Sequence, residues 1–250
     1  MPKIIIKTPE EIEIMREGGK ILANCLQETA LRAKPGVSTL ELDQFAEKFL
    51  RDHNTIPSFK GYSGFPATLC TNIDNVVVHG IPKKDEILKE GQFIAIDCGT
   101  IYKGFHTDST VFIGIGKISS EKQKMISVAE EALGQAIMTL KDGVYLGELS
   151  GVIENTITKN GYSVVEELTG HGVGRKLHEY PYITNYRDQK LPIFKAGMTI
   201  AVEPIFTNGN GDIRTLADDW TIVTADNSLA AQIEHTLLVT ENGCEILTQA

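Results

Sequence analysis

The sequence predicts an α+β fold with helices packed on one side of a largely antiparallel, curved sheet, and two observations carry that prediction. Helix-like and strand-like segments occur in two rounds along the 250 residues. One seven-residue phrase is also written twice, as Gly91-Gln92-Phe93-Ile94-Ala95-Ile96-Asp97 and as Gly197-Met198-Thr199-Ile200-Ala201-Val202-Glu203. In each copy a glycine leads into an apolar run rich in β-branched residues, the mark of a buried strand, and the run ends on a carboxylic acid.

The repetition extends further. His79-Gly80-Ile81 answers His171-Gly172-Val173, and Asp108-Ser109-Thr110-Val111 answers Glu234-His235-Thr236-Leu237. The offsets widen from 92 (171 − 79) through 106 (203 − 97) to 126 (234 − 108), which fits a duplication with loop insertions rather than a fixed-period array. Two similar halves, roughly 60–140 and 141–250, are expected to face each other across one site. N-terminal helices over 8–53 complete a single domain spanning 1–250.

Each element has a local reason. Thr8-Pro9-Glu10-Glu11 has the residues of a capping box with proline at the first helical position, and Ile14, Met15, Ile21, Leu22, Cys25 and Leu26 follow at helical spacing. Lys34-Pro35-Gly36 breaks that helix, and Ser38-Thr39-Leu40-Glu41 starts a second one reaching about Leu50. Strands are predicted over 76–78, 93–97 and 105–113. The second round opens with helices over 120–140 and 146–159, which end near Gly143 and Gly161. Its strands are predicted over 164–168, 199–203, 220–224, 233–239 and 244–247.

Composition narrows the function classes. With 42% hydrophobic and 23% charged residues the chain can bury a sizeable core. A formal net charge of −9 and no Lys/Arg-rich tract oppose stable binding to nucleic acid or to anionic membranes. Cys25, Cys70, Cys98 and Cys244 form no C-x-x-C pair, and Ile4-Ile5-Ile6 is too short for a signal-peptide core. Reduced thiols and a cytoplasmic location are expected. No apolar stretch approaches the roughly 20 residues of a membrane span.

The candidate ligand set is Asp97, Asp108, His171, Glu203 and Glu234. Taken singly, each has an ordinary explanation. Asp97 could be a turn or cap residue, Asp108 a solvated strand residue, His171 a structural loop histidine, and Glu203 and Glu234 members of buried salt bridges. Taken together, four buried acids need matching cations, and these strands contain no lysine or arginine. Carboxylates with one imidazole suit Co, Mn, Fe(II) or Zn, and a pair of such ions about 3.5–4 Å apart can neutralise more carboxylates than one ion can.

Several phrases resemble one family. Val78-His79-Gly80-Ile81-Pro82, Ile96-Asp97-Cys98-Gly99, His106-Thr107-Asp108-Ser109, Gly170-His171-Gly172-Val173-Gly174, Val202-Glu203-Pro204 and Ile233-Glu234-His235-Thr236 look like those of type I methionine aminopeptidases, over a match from about Ile4 to Leu247. The resemblance implies the duplicated pita-bread fold, with pseudo-two-fold halves around a dinuclear site in which these five residues hold two divalent metal ions. It implies hydrolytic removal of the initiator methionine from new proteins by a water that the two ions activate. The position of Glu203 matches the family's proton shuttle, that of His178 the histidine at the oxyanion, and that of His79 the histidine near the scissile nitrogen. Tyr62, Phe65, Cys70 and Trp220 match positions that line the methionine pocket, whereas Phe59 and Leu177 depart from the cysteine and phenylalanine common there.

Three histidines are left outside the site. His235 follows Glu234 on a strand and points to the opposite face, His106 shares a face with Asp108, and His53 reads as a surface turn residue. The expected partners are the N-termini of nascent polypeptides, met by a monomer with a preference for a small second residue. Transient ribosome contact would need surfaces the sequence does not mark. The alternatives are an Xaa-Pro aminopeptidase or dipeptidase, which usually carries an additional N-terminal domain, and a non-catalytic peptide-binding relative, which would have lost ligands. Type II relatives insert a helical segment between the last two ligands, and here those are only 31 apart (234 − 203).

Overall fold

Two capping boxes start the first pair of helices. In the computed structural model, which describes residues 3–188 and 192–250, the Thr8 hydroxyl accepts from the Glu11 N–H while the Glu11 carboxylate accepts from the Thr8 N–H. Helix α1 (Pro9–Arg32) follows, and Ser38 with Glu41 repeats the arrangement at α2 (Thr39–Asp52). The first round then runs through β1 (Ile56–Pro57), β2 (Leu69–Ile73), β3 (Val76–Val78), β4 (Phe93–Tyr102) and β5 (Phe105–Gly114). A second helix pair, α3 (Ser120–Thr139) and α4 (Leu146–Lys159), opens the second round. After it come β6 (Ser163–Val164), β7 (Thr169–Gly172), β8 (Glu179–Thr184), β9 (Thr199–Val202), β10 (Ile205–Thr207), β11 (Ile213–Thr215), β12 (Ile222–Thr224), β13 (Ala230–Gln232), β14 (His235–Val239) and β15 (Cys244–Ile246).

The repeated phrase occupies the same place in each round. Ile94, Ile96 and Cys98 of β4 pack against Leu22, Cys25 and Leu26 of α1 and Leu42 and Leu50 of α2. Alternation therefore turns Asp97 to the other face, away from those helices. In β9, Ile200 and Val202 join Val128, Leu133, Leu149 and Ile153 of α3 and α4. The next residue, Glu203, alternates to the face that looks away from α3 and α4. Each helix pair thus covers the outside of its sheet and leaves one carboxylate facing inward. A strand buried on both faces must be apolar throughout, which is why both phrases read as unbroken runs.

The pairings are antiparallel throughout the described residues, in four hydrogen-bonded ladders: β1-β4-β2 with β5 along the other edge of β4, then β13-β10-β6, β11-β12-β3 and β15-β14-β9-β7-β8. An isolated bridge between Thr110 and Glu234 joins the halves, with backbone hydrogen bonds of 3.2 Å in both directions. Beside it the Asp108 N–H donates to the Thr236 hydroxyl, which in turn donates to the Asp108 carbonyl. These bonds fix β5 of one half against β14 of the other.

Some elements differ from the sequence expectation. The strand expected over 164–168 stops at Val164, and Glu166 and Glu167 form a turn before β7, which carries His171 as a strand residue rather than a loop residue. The strand expected from Trp220 begins at Ile222, because Asp218 accepts from the Trp220 and Thr221 N–H groups and holds them in a turn. β2 and β8 were not expected: Leu69-Cys70-Thr71-Asn72-Ile73 is buried on both faces yet half polar, so neither alternation nor an apolar run marks it.

Candidate metal centre

β4 and β5 form a hairpin in which Asp97 lies opposite Thr110 and Asp108 lies opposite Gly99. Asp108 is two residues from Thr110, so both aspartates share one face of the hairpin. Gly99 permits a close approach: a Cβ there would stand 2.7 Å from the Ser58 Cβ and 2.8 Å from the Phe59 ring. In the other half His171 and Thr236 flank Ala201 across β7, β9 and β14, and Glu203 and Glu234 follow two residues beyond that row on the same face. All five residues line one cavity of about 350 Å³.

The five candidates converge closely. The His171 Nε2 lies 3.9 Å from an Asp108 oxygen and 3.8 Å from Glu203 Oε1. Donor atoms of Asp108, His171 and Glu234 all fall within 4.8 Å of one another. His171 Nδ1 sits 2.9 Å from the Gly172 carbonyl, which can only accept, so the ring proton is on Nδ1 and the Nε2 lone pair faces the acids. Burial pulls the His171 pKa down to about 3, keeping the ring neutral.

Electrostatics leave these acids in need of a cation. Burial pushes the Asp97 carboxyl up to about 7, against the nearby Thr110 hydroxyl and Cys70 thiol, which favour the anion. Asp108, Glu203 and Glu234 are raised well above the ordinary range, first by burial and then by the charge of neighbouring acids, Asp97 acting on all three. Among the described residues no lysine or arginine pairs with any of the four, and Asp97 Oδ1, Asp108 Oδ1 and Glu234 Oε1 have no hydrogen-bond partner. Orphaned carboxylate oxygens around a neutral imidazole nitrogen fit a divalent cation of the hard to borderline kind.

One wall of the cavity is apolar. Phe59, Phe65, Cys70, Leu177 and Trp220 pack into one cluster, with Phe65 and Trp220 edge to face at 5.1 Å. His178 links this pocket to the acids: its ring stands 4.4 Å from that of His171, and its Nδ1 lies 2.9 Å from the Tyr62 hydroxyl. His79 follows β3 at a φ of 58°, packs edge-on against Trp220, and is pushed down to about 4 by burial.

The excluded histidines lie elsewhere. His106 bonds Ser58 at 2.6 Å, His235 bonds Thr248 at 2.9 Å, and His53 stacks on Phe49 at the end of α2; none of them lines the cavity. The two His-Gly phrases are not equivalent in register. β2 flanks β4 as β7 flanks β9, and the residue facing Ala95 as His171 faces Ala201 is Asn72. His79 stands beyond β3 instead, so its likeness to His171 in sequence is local.

Sequence reasoning missed the groups that hold the glutamates. Gln232 Nε2 donates to Glu203 Oε2 at 3.3 Å while its Oε1 accepts from Asn72 at 2.9 Å. The Thr110 hydroxyl donates to Glu234 Oε2 at 3.1 Å, and Asn185 donates to the Glu203 carbonyl at 2.9 Å. The two-residue spacing of Gln232 from Glu234 was the available signal, since extended chain turns residues i and i+2 to one side.

Comparison with known proteins bears on this geometry. The profile of metallopeptidase family M24 matches residues 13–241. A methionine aminopeptidase of Clostridium acetobutylicum is 44% identical over 246 residues, covering 98% of each chain. The crystal structure of a methionine aminopeptidase from Thermotoga maritima superposes with a TM-score of 0.97 at 37% identity, over 99% of this chain and 100% of that one. A prolidase from Pyrococcus furiosus superposes at 0.79 with 26% identity, and this chain covers 66% of its length.

Proposed function

The chain belongs to metallopeptidase family M24, and we propose on that premise that it removes the N-terminal methionine from peptides and newly made proteins. The observation that carries the reading is a buried cluster of four acids and a neutral histidine opening directly into an apolar pocket. The Xaa-Pro peptidases are the more distant relatives, at 26% identity for the prolidase against 44% for the methionine aminopeptidase.

Asp97, Asp108, His171, Glu203 and Glu234 are the proposed holders of two divalent ions. Such ions, whether Co, Mn, Fe(II) or Zn, would polarise the scissile carbonyl and acidify a water. Glu203 would take the proton of the attacking water and deliver it to the leaving amine; Gln232 holds its Oε2, while Oε1 is the oxygen nearer His171. His178 donates to the developing oxyanion, oriented by the Tyr62 hydroxyl on its Nδ1. His79, neutral through burial, stands near the scissile nitrogen. Tyr62, Phe65, Cys70 and Trp220, with Phe59 and Leu177, enclose the methionine side chain, whose thioether adapts to an irregular apolar wall. A small second residue is preferred.

The same reading places the protein in the cytoplasm as a monomer acting on nascent chains, with any ribosome contact transient. No described helix is long and apolar enough to cross a membrane. The test is hydrolysis of Met-Ala-Ser against an Xaa-Pro peptide after reconstitution with each metal, with Glu203→Ala and His171→Ala as controls. Cleavage of Met-Ala-Ser alone, lost in both variants, is expected. Cleavage of the Xaa-Pro peptide alone would overturn the function, and full activity in the variants would overturn the site.

A further inference from the structure

A second groove of about 220 Å³ opens off the cavity, sharing His79, His178 and Glu203 with it and continuing past Thr169 to Glu167 and Tyr182. With a methionine side chain in the apolar pocket, this groove offers a path for the rest of the substrate chain. β7 gives its scale. Glu167 precedes His171 by four residues and sits in the turn before β7, so even a fully extended chain would place it no more than roughly 14 Å from His171. An extended peptide at ~3.3–3.6 Å per residue puts its third and fourth residues roughly 5–9 Å past the scissile bond, from where a long side chain can reach toward Glu167.

Two features give this stretch a chemical preference. Glu167 is exposed in the turn before β7, and among the described residues no ion pair or hydrogen bond holds its carboxylate. Glu203, the other acid of the groove, is turned in toward the metal centre. Tyr182 lies opposite His171 in the β7–β8 register and is 58% exposed, so its ring face is open. A free carboxylate and an open aromatic face both attract a lysine or arginine side chain, and the carboxylate repels an acidic one.

We infer that Glu167 and Tyr182 form a subsite for the third and fourth substrate residues that favours basic side chains over acidic ones. The inference rests on the methionine aminopeptidase reading and names a substrate class within it. The test compares kcat/KM for the amidated peptides Met-Ala-Lys-Lys, Met-Ala-Ser-Ser and Met-Ala-Glu-Glu. The native chain should prefer the lysine peptide over the glutamate peptide by about three- to fivefold, as for an exposed charge pair. The preference should shrink at 1 M salt, where the screening length falls to about 3 Å. E167Q should remove most of it, E167K should reverse it, and Y182A should weaken the lysine side alone. Equal rates for all three peptides in the native chain, or an unchanged preference in E167K, would overturn the subsite. Failure to cut any of the three would instead overturn the underlying reading and this inference with it.

Discussion

The aspartates and the glutamates of the cavity come from equivalent strand pairs, yet the two pairs are held differently. Asp97 and Asp108 sit inside the β4–β5 ladder, with ladder partners on either side of each along the strand. Their short side chains leave little freedom, and one oxygen of each, like Glu234 Oε1, has no partner. Glu203 and Glu234 stand just past the ladder between β9 and β14, on longer side chains that polar neighbours steady: Gln232 for Glu203 and Thr110 for Glu234. In the proposed mechanism this contrast would divide the work, the first half mainly holding cations and the second half also moving a proton.

The largest expected effect breaks the holding side. Asp108→Asn removes a charge that a cation would neutralise, and steady-state assays on Met-Ala-Ser should show a loss of about 10³-fold or more, with weaker ion binding by calorimetry. Glu203→Gln sharpens the contrast. It keeps the shape and the Gln232 contact but cannot take a proton, so kcat should fall by about 10²–10⁴-fold, with ion binding weakened less than in Asp108→Asn. If both variants lose ions and activity in parallel, the division of labour is wrong.

A smaller effect tests the steadying groups. Gln232→Leu leaves one Glu203 oxygen and the buried Asn72 Nδ2 without the partner each has now. It should cost about 1–3 kcal/mol of stability by chemical denaturation and lower kcat more than it changes KM. Equal damage in Gln232→Leu and an unrelated core variant of the same stability would reduce Gln232 to a packing residue.

Ion removal has a signed pH dependence. The Asp97 carboxyl titrates at about 7 in the fold against an ordinary 3.8, so without a cation the fold binds the proton more tightly than the unfolded chain does. The metal-free protein should therefore lose stability as pH rises from about 4 to 7. Thermal melts should show Mn(II) raising Tm more at pH 7.5 than at pH 5.5, because ion and proton compete for the same carboxylates. An equal rise at both values would mean that the ion binds elsewhere.

Legibility in the sequence followed the same contrast. The β4 and β9 phrases could be read because burial on both faces demands an apolar run, and the acids stood out at its end. β7 could not, since Thr169-Gly170-His171-Gly172 has neither alternation nor an apolar run, and its strand form comes from pairing with β8 and β9. Helix α1 was legible to its first residue because a capping box is local chemistry. The Asn72–Gln232–Glu203 chain was not, because it joins residues 160 positions apart through contacts that only the folded ladders create.

The most direct test of a cradle built by both halves is anomalous diffraction from crystals of the protein loaded with Mn(II). The account predicts two peaks about 3.5–4 Å apart, with ligands from Asp97 and Asp108 of one half and His171, Glu203 and Glu234 of the other. Peaks bound only by residues of a single half, or lying outside this cavity, would contradict it.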